Sequence, residues 1–97
     1  MSAAVRTIRR SFTVDGHRAT LSVPIVAGAA LGVTVEWDRA RPPRLRGDAL
    51  ARYRRLRNAV LQSVADEIGG AVAVLDANAD GSLTPTIIKP TTVSEAT

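Results

Sequence analysis

Residues 5–25 read VRTIRRSFTVDGHRATLSVPI, two alternating segments on either side of Asp15-Gly16. Asp-Gly between such segments is typical of a two-residue type I′ hairpin turn. That turn predicts four cross-strand pairs: Val14 with His17, Phe12 with Ala19, Arg10 with Leu21 and Ile8 with Val23. This register separates an apolar face from a polar one, and a slip of one residue would destroy the separation.

A third strand and a helix are predicted after the hairpin. Residues 31–38 alternate, which places one set of side chains on the apolar face: Leu31, Val33, Val35 and Trp37. Paired prolines at residues 42–43 indicate a loop. Residues 48–68 carry apolar side chains at helical spacing, with Asp48 as the N-cap and Gly69-Gly70 as the C-terminal stop.

The last part of the chain predicts two short strands. Residues 71–75 are wholly apolar, and residues 83–89 form a second candidate that Pro85 confines to a sheet edge. The order β-β-β-α-β-β predicts a two-layer α+β domain, in which a single long helix covers one face of an antiparallel sheet. The domain is expected to span residues 1–89, followed by a disordered tail over residues 90–97.

Positive charge is concentrated in residues 39–57. This segment holds eight arginines and one aspartate, a net charge of +7, whereas the whole chain carries +4. Asp48 can pair with Arg52 four residues later. Arginine lies in the first half of the helix, where the helix dipole favours acidic side chains, so helix stability does not explain the arrangement. Contact with an acidic surface would explain it, and a solvated basic face without a partner is the alternative.

The predicted docking surface combines this segment with two arginines on the polar face of the hairpin. Its members are Arg39, Arg41, Arg44, Arg46, Arg52, Arg54, Arg55, Arg9 and Arg18. The expected partner is an acidic macromolecule, namely DNA, RNA or an acidic protein surface. Arg57 and Arg10 fall on apolar faces, where both are expected to reach solvent from the rim of the core. Alternatively, one of them pairs with a buried carboxylate or reaches a ligand through a gap in the core.

The aromatic residues limit how nucleic acid could be bound. Phe12, Trp37 and Tyr53 all project onto apolar faces, whereas proteins that read single strands use exposed aromatic rings for base stacking. A stacking platform is therefore not expected. Contact with a duplex through arginine and the polar face of the sheet remains open.

Residues 76–82 resemble the first half of a calcium-binding loop. Asp76, Asn78 and Asp80 occupy alternate positions before Gly81, but the twelfth position is Ile87 instead of glutamate. A polar turn explains the segment equally well. Weak calcium binding through these three residues is the third functional alternative.

The sequence argues against an enzyme, a thiolate metal site and a membrane protein. The chain has no cysteine and one histidine, so it offers no thiolate metal site and no cysteine nucleophile, and we expect neither an enzyme nor a cofactor. Its longest apolar stretch, residues 23–33, is shorter than the roughly 20 residues of a membrane helix, and no signal peptide is evident, which predicts a cytoplasmic protein without membrane contact.

The second functional alternative is a structural protein that forms homo-oligomers through residues 23–33 or an edge strand. Accessory proteins of phages and mobile elements are often of this size.

Overall fold

The computed structural model describes residues 5–91. Its elements are β1 (Val5–Val14), β2 (His17–Val26), β3 (Ala29–Ala30), β4 (Thr34–Trp37), α1 (Gly47–Ile68), β5 (Val72–Ala77) and β6 (Leu83–Ile88). Strands β1 to β4 form a first antiparallel sheet, β5 and β6 form a second, and α1 packs against both. The predicted α+β class with antiparallel strands and one helix is confirmed. The strands form two sheets instead of one, the predicted third strand is reduced to β4, and the short strand β3 precedes it.

The β1–β2 hairpin has the predicted register. Val14 lies opposite His17 and Ile8 opposite Val23, and the ladder continues to Val5 and Val26. Asp15 and Gly16 have φ values of 49° and 80°. Both values lie in the left-handed region, as the central residues of a type I′ turn require.

A bulge divides the third strand. β3 pairs Ala30 with Ile25, whereas β4 pairs Thr34 with Ser22. Three residues of the third strand, 31–33, therefore lie opposite only two of β2, and the extra residue reverses which side chains face inward. Pro24 lies opposite this break and has no backbone N–H to donate.

The bulge corrects the predicted position of Leu31. Leu31 is 66% exposed, while Val33, Val35 and Trp37 are half-buried as expected. Because the strand changes phase at residues 31–33, Leu31 no longer shares a face with the residues that follow it.

A second positive-φ turn joins β2 to β3 and carries an alanine. Ala27 has a φ of 52°, followed by Gly28 at 80°. The left-handed conformation costs a residue with a Cβ about 1–2 kcal/mol, and asparagine tolerates it better. Ala27→Asn should therefore raise the free energy of unfolding by about 0.5–1 kcal/mol. Thermal unfolding would measure this as an increase of a few degrees in Tm. Ala29→Asn, two residues later in β3, is the control and should give no increase.

The helix begins and ends close to the predicted residues. It starts at Gly47, so Asp48 lies within the first turn, where its charge is favourable towards the helix dipole, and does not form the N-cap. Gly69 has φ 67° and ψ 28°, and its N–H donates to the carbonyl of Ala65. The predicted glycine stop is confirmed, since this geometry is a left-handed C-cap.

The core lies between the helix and the inner faces of both sheets. Its buried members are Ile8, Leu21, Val23, Ile25, Leu61, Val64, Ala65, Val72 and Ile88. The outer face of β1 and β2 is polar, whereas the outer face of β5 and β6 is apolar. β6 pairs only with β5 within the described residues, so Pro85 does lie in an edge strand.

The start of the predicted tail is held on the helix. Gln62 Nε2 donates to the carbonyl of Lys89, and the backbone N–H of Thr91 donates to Asp66 Oδ1, both at 2.6 Å. This second bond is the main reason that the pKa of Asp66 is lowered. Residues 92–97 of the predicted tail lie outside the described residues.

Candidate macromolecule-binding surface

The segment between β4 and α1 presents arginine side chains to solvent. Pro42 and Pro43 interrupt regular structure here, and the residues around them adopt an irregular loop. All four arginines of the loop are exposed: Arg39, Arg41, Arg44 and Arg46.

Two side-chain contacts join this loop and the start of the helix to the turn of the β1–β2 hairpin. Arg39 Nη1 lies 2.9 Å from Nδ1 of the His17 ring. Arg52 Nη2 lies 2.9 Å and 3.0 Å from the two carboxylate oxygens of Asp15. Arg52 therefore pairs with Asp15 and not with Asp48 as expected. The loop, the hairpin turn and the first half of α1 meet at one end of the molecule.

We call this region the basic end and define it by Arg39, Arg41, Arg44, Arg46 and Arg55. Within residues 5–91, none of these five guanidinium groups forms an ion pair with a carboxylate. Arg55 is exposed on the helix, and the other four extend from the loop. Among the described residues, no carboxylate directly neutralises these five positive charges, although Arg39 contacts His17.

The two predicted arginines of the sheet are only partly joined to the basic end. Arg18 follows His17 in the chain and lies on the outer face of the first sheet, next to the basic end. Arg9 lies on the same face. It is four residues along β1 from Thr13, which pairs with Arg18, so Arg9 and Arg18 are separated by about 13 Å along the strands. Between them, the hydroxyls of Ser11 and Thr20 are hydrogen-bonded at 2.9 Å. The face is polar and continuous, and Arg9 stands at its far side.

Arg54, predicted as part of the docking surface, lies instead in a partly buried cluster. Its Nη2 donates to the carbonyl of Ala77 at 3.0 Å, and its Nε lies 3.4 Å from Asp76 Oδ1. Arg57 is 3% exposed and donates to both oxygens of Asp76, at 2.5 Å and 3.1 Å. Arg57 therefore pairs with a largely buried carboxylate, the alternative predicted for one of the two arginines, whereas Arg10 lies at the rim of the core, 41% exposed, and pairs with the exposed Glu67 at 2.5 Å.

The remaining contacts of Arg57 complete its hydrogen bonding. Asn58 Oδ1 accepts from Arg57 Nε at 3.0 Å and from Nη2 at 2.8 Å, and the guanidinium lies 5.7 Å from the centre of the Tyr53 ring. Thr86 Oγ1 donates to Asp76 Oδ2 at 3.0 Å. The described part of the chain has no buried side-chain nitrogen or oxygen without a partner. This cluster connects α1 to both strands of the second sheet and is a structural element.

Acid should weaken this cluster. Hydrogen bonds from Arg57, and secondarily from Thr86, lower the pKa of Asp76 despite its burial. A carboxyl group whose pKa is lowered in the folded state stabilises the fold above its unfolded pKa of about 3.9 and loses that contribution as the pH falls through the lower folded value. Urea unfolding from pH 6 to pH 2 should therefore show the stability gap between the wild type and Asp76→Asn closing below about pH 4. A gap of constant size would contradict this assignment.

The three aromatic residues pack together beneath the basic end. The rings of Phe12 and Trp37 lie 5.8 Å and 5.5 Å from that of Tyr53, and all three side chains are half-buried. Burial raises the pKa of the Tyr53 hydroxyl, with the nearby Arg57 charge opposing the shift. As predicted, these rings pack on the apolar faces, and Trp37 also lines a surface pocket beside Arg39 and Pro42.

The predicted calcium ligands are engaged within the protein. Asp76 lies in β5 and binds Arg57, while Asn78 Nδ2 donates to Ser82 Oγ and Thr84 Oγ1 at 2.9 Å and 2.8 Å. Asp80 Oδ1 accepts from the backbone N–H and the hydroxyl of Ser82, which lower the pKa of Asp80. No group of three or more His, Cys, Asp or Glu among the described residues is arranged to hold a metal ion.

The comparisons supply no relative for this chain. No family model matches it, and no curated protein or solved structure matches it either. No helix in the described range is both long enough and apolar enough to span a bilayer.

Proposed function

We propose that the protein is a small non-enzymatic binding module that docks on the phosphate backbone of duplex nucleic acid through the basic end. One observation carries this proposal, namely five guanidinium groups at one end of the molecule without carboxylate partners among the described residues. Phosphate groups accept hydrogen bonds from arginine and release counterions when neutralised.

The placement of these arginines favours a backbone contact over base reading. Four of the five extend from an irregular loop, and Arg18 with its neighbouring hydroxyl groups continues the surface onto the sheet. Guanidinium and hydroxyl side chains make many of the protein contacts to phosphate and sugar. The inward packing of the aromatic rings argues against binding by base stacking. A cytoplasmic location, where nucleic acid is accessible, belongs to the same proposal.

Titration of a fluorescent 20-base-pair duplex at several salt concentrations tests the proposal. Five phosphate contacts should give a slope of about −4.5 for log K against log salt, since each contact contributes about −0.9. Duplexes of unrelated sequence should bind with similar affinity. The absence of binding at about 20 mM salt would eliminate nucleic acid and leave an acidic protein as the remaining partner class.

A further inference from the structure

One face of the second sheet is composed as if another protein covered it. The ladder pairs Ala73 with Ile87, Leu75 with Pro85 and Ala77 with Leu83, and all six side chains lie on the side away from the helix. All six residues are exposed, with Leu75 at 60%, Leu83 at 59% and Ile87 at 53%. We call these six residues the outer apolar face.

The first sheet shows what a solvated face of this protein contains. On the outer side of β1 and β2, five of the six exposed residues are polar: Thr7, Arg9, Ser11, Thr13 and Arg18, with Val5 as the exception. An antiparallel sheet with one solvated side alternates apolar and polar side chains in this way. β5 and β6 depart from that pattern, because their outward positions are all apolar. The six residues expose on the order of 400 Å² of apolar surface, which is within the range of about 300–600 Å² for the largest apolar patch of a monomer, a patch that is often functional.

Opposite charges at the two ends of this face favour a second copy of the chain as its occupant. Within the described residues, Lys89 continues the outward positions of β6 at one end of the face, and Asp80 lies in the β5–β6 turn at the other end. If a two-fold axis runs between two copies and across their strands, Lys89 of each copy lies towards Asp80 of the other. The apolar positions between them carry no charge that would repel a second copy. The surface is therefore self-complementary.

We propose that the outer apolar face binds the same face of a second copy of this chain, with the strands of the two copies antiparallel and Lys89 of each copy near Asp80 of the other. The dimer is weak and reversible. About 400 Å² per copy is half of the roughly 800 Å² that each partner buries in a standard stable interface. A dissociation constant on the order of 100 µM is expected for so small a contact. The inference does not depend on the basic end or on nucleic acid.

Sedimentation equilibrium from about 10 µM to 1 mM, without nucleic acid, tests the face. The average mass of the wild type should rise with concentration from 10.2 kDa towards twice that value. The Leu75→Gln, Ile87→Thr double variant keeps strand-compatible side chains and should remain monomeric, with a dissociation constant raised at least tenfold. Val5→Gln is the matched control, because Val5 is 64% exposed on the first sheet, and it should dimerise like the wild type. A monomeric wild type at 1 mM, or a double variant that dimerises normally, would overturn the proposal.

Charge reversal tests the orientation. Lys89→Glu places two acidic groups together at both ends of the dimer, and Asp80→Lys places two basic groups together. Each variant alone should dimerise about three- to tenfold more weakly than the wild type, the size expected for two exposed charge pairs. An equimolar mixture restores opposite charges at both ends and should recover dimerisation, with circular dichroism confirming that each variant is folded. If the mixture dimerises no better than either variant alone, the antiparallel arrangement is wrong.

Discussion

Replacing Asp76 by alanine should lower the free energy of unfolding by about 3–5 kcal/mol, the usual cost of leaving one partner of a buried ion pair uncompensated. Arg57 is 3% exposed, and only Arg54 and Thr86 would remain near the vacated carboxylate position. Arg54 adds a second positive charge and Thr86 offers only a neutral hydroxyl, so neither can replace the negative charge of Asp76. Domains of this size are commonly stable by only 5–15 kcal/mol. Urea unfolding followed by circular dichroism measures the loss.

Two control variants separate the burial of the charge from the loss of a contact. Arg57→Met combined with Asp76→Val removes both charges and should recover most of the stability, since a buried pair can be replaced by apolar side chains at little cost. Arg52→Ala removes an exposed pair with Asp15, whose side chains are 48% and 38% exposed, and should cost no more than about 1 kcal/mol. Equal losses from Arg52→Ala and Asp76→Ala would show that burial does not determine the effect.

Replacing Arg41, Arg44 and Arg46 together by glutamine should weaken duplex binding several hundredfold at about 0.1 M salt. Each phosphate contact multiplies the binding constant by the salt concentration raised to the power of about −0.9. The loss of three contacts therefore lowers the affinity by roughly several hundredfold at this salt concentration. The log–log slope should fall from about −4.5 to about −1.8. The three side chains are exposed and form no ion pair within the described residues, so thermal stability should change little.

A second triple variant controls for net charge. Arg6, Arg10 and Lys89 are also basic, but Arg6 and Arg10 pair with Glu67 at the opposite end of the helix. Their replacement by glutamine removes the same formal charge and should leave the salt slope within about one unit of the wild type. If both triple variants lose affinity equally, binding follows the net charge of the protein and not the basic end.

The hairpin could be predicted because its determinants are local. Asp15 and Gly16 select the turn, the turn fixes the register, and the alternating side chains of β1 and β2 agree with it. The glycine stop of the helix has the same local character. The bulge at residues 31–33 was also signalled locally, by Pro24 and Gly32, but alternation alone favours an unbroken strand.

The contacts between distant elements could not be predicted in the same way. The helical angle of Arg57 placed it within the apolar face, which indicated an unusual environment but not the carboxylate that meets it. That partner, Asp76, lies 19 residues away in another element. Arg52 had a local partner available in Asp48, yet packing of the helix on the hairpin places Asp15 against it. The choice of ion-pair partner depends on how the elements pack, and local patterns in a single sequence do not reveal that packing.

The exposure of the outer apolar face could not be predicted from the sequence either. The wholly apolar residues 71–75 predicted a strand, and alternation cannot tell whether both of its sides are covered by one chain. The structure places the helix on one side only.

The pairing of Arg57 with Asp76 also constrains how this chain can diverge. Replacing Asp76 alone leaves the buried Arg57 without a carboxylate, and replacing Arg57 alone leaves Asp76 with the longer contact to Arg54 only, whereas replacing both side chains together by apolar ones should be tolerated. Mutational drift at these two positions should therefore proceed by paired exchange, so that descendants of this sequence retain both residues or neither. The basic loop has no such coupling, and its arginines can be gained or lost one at a time.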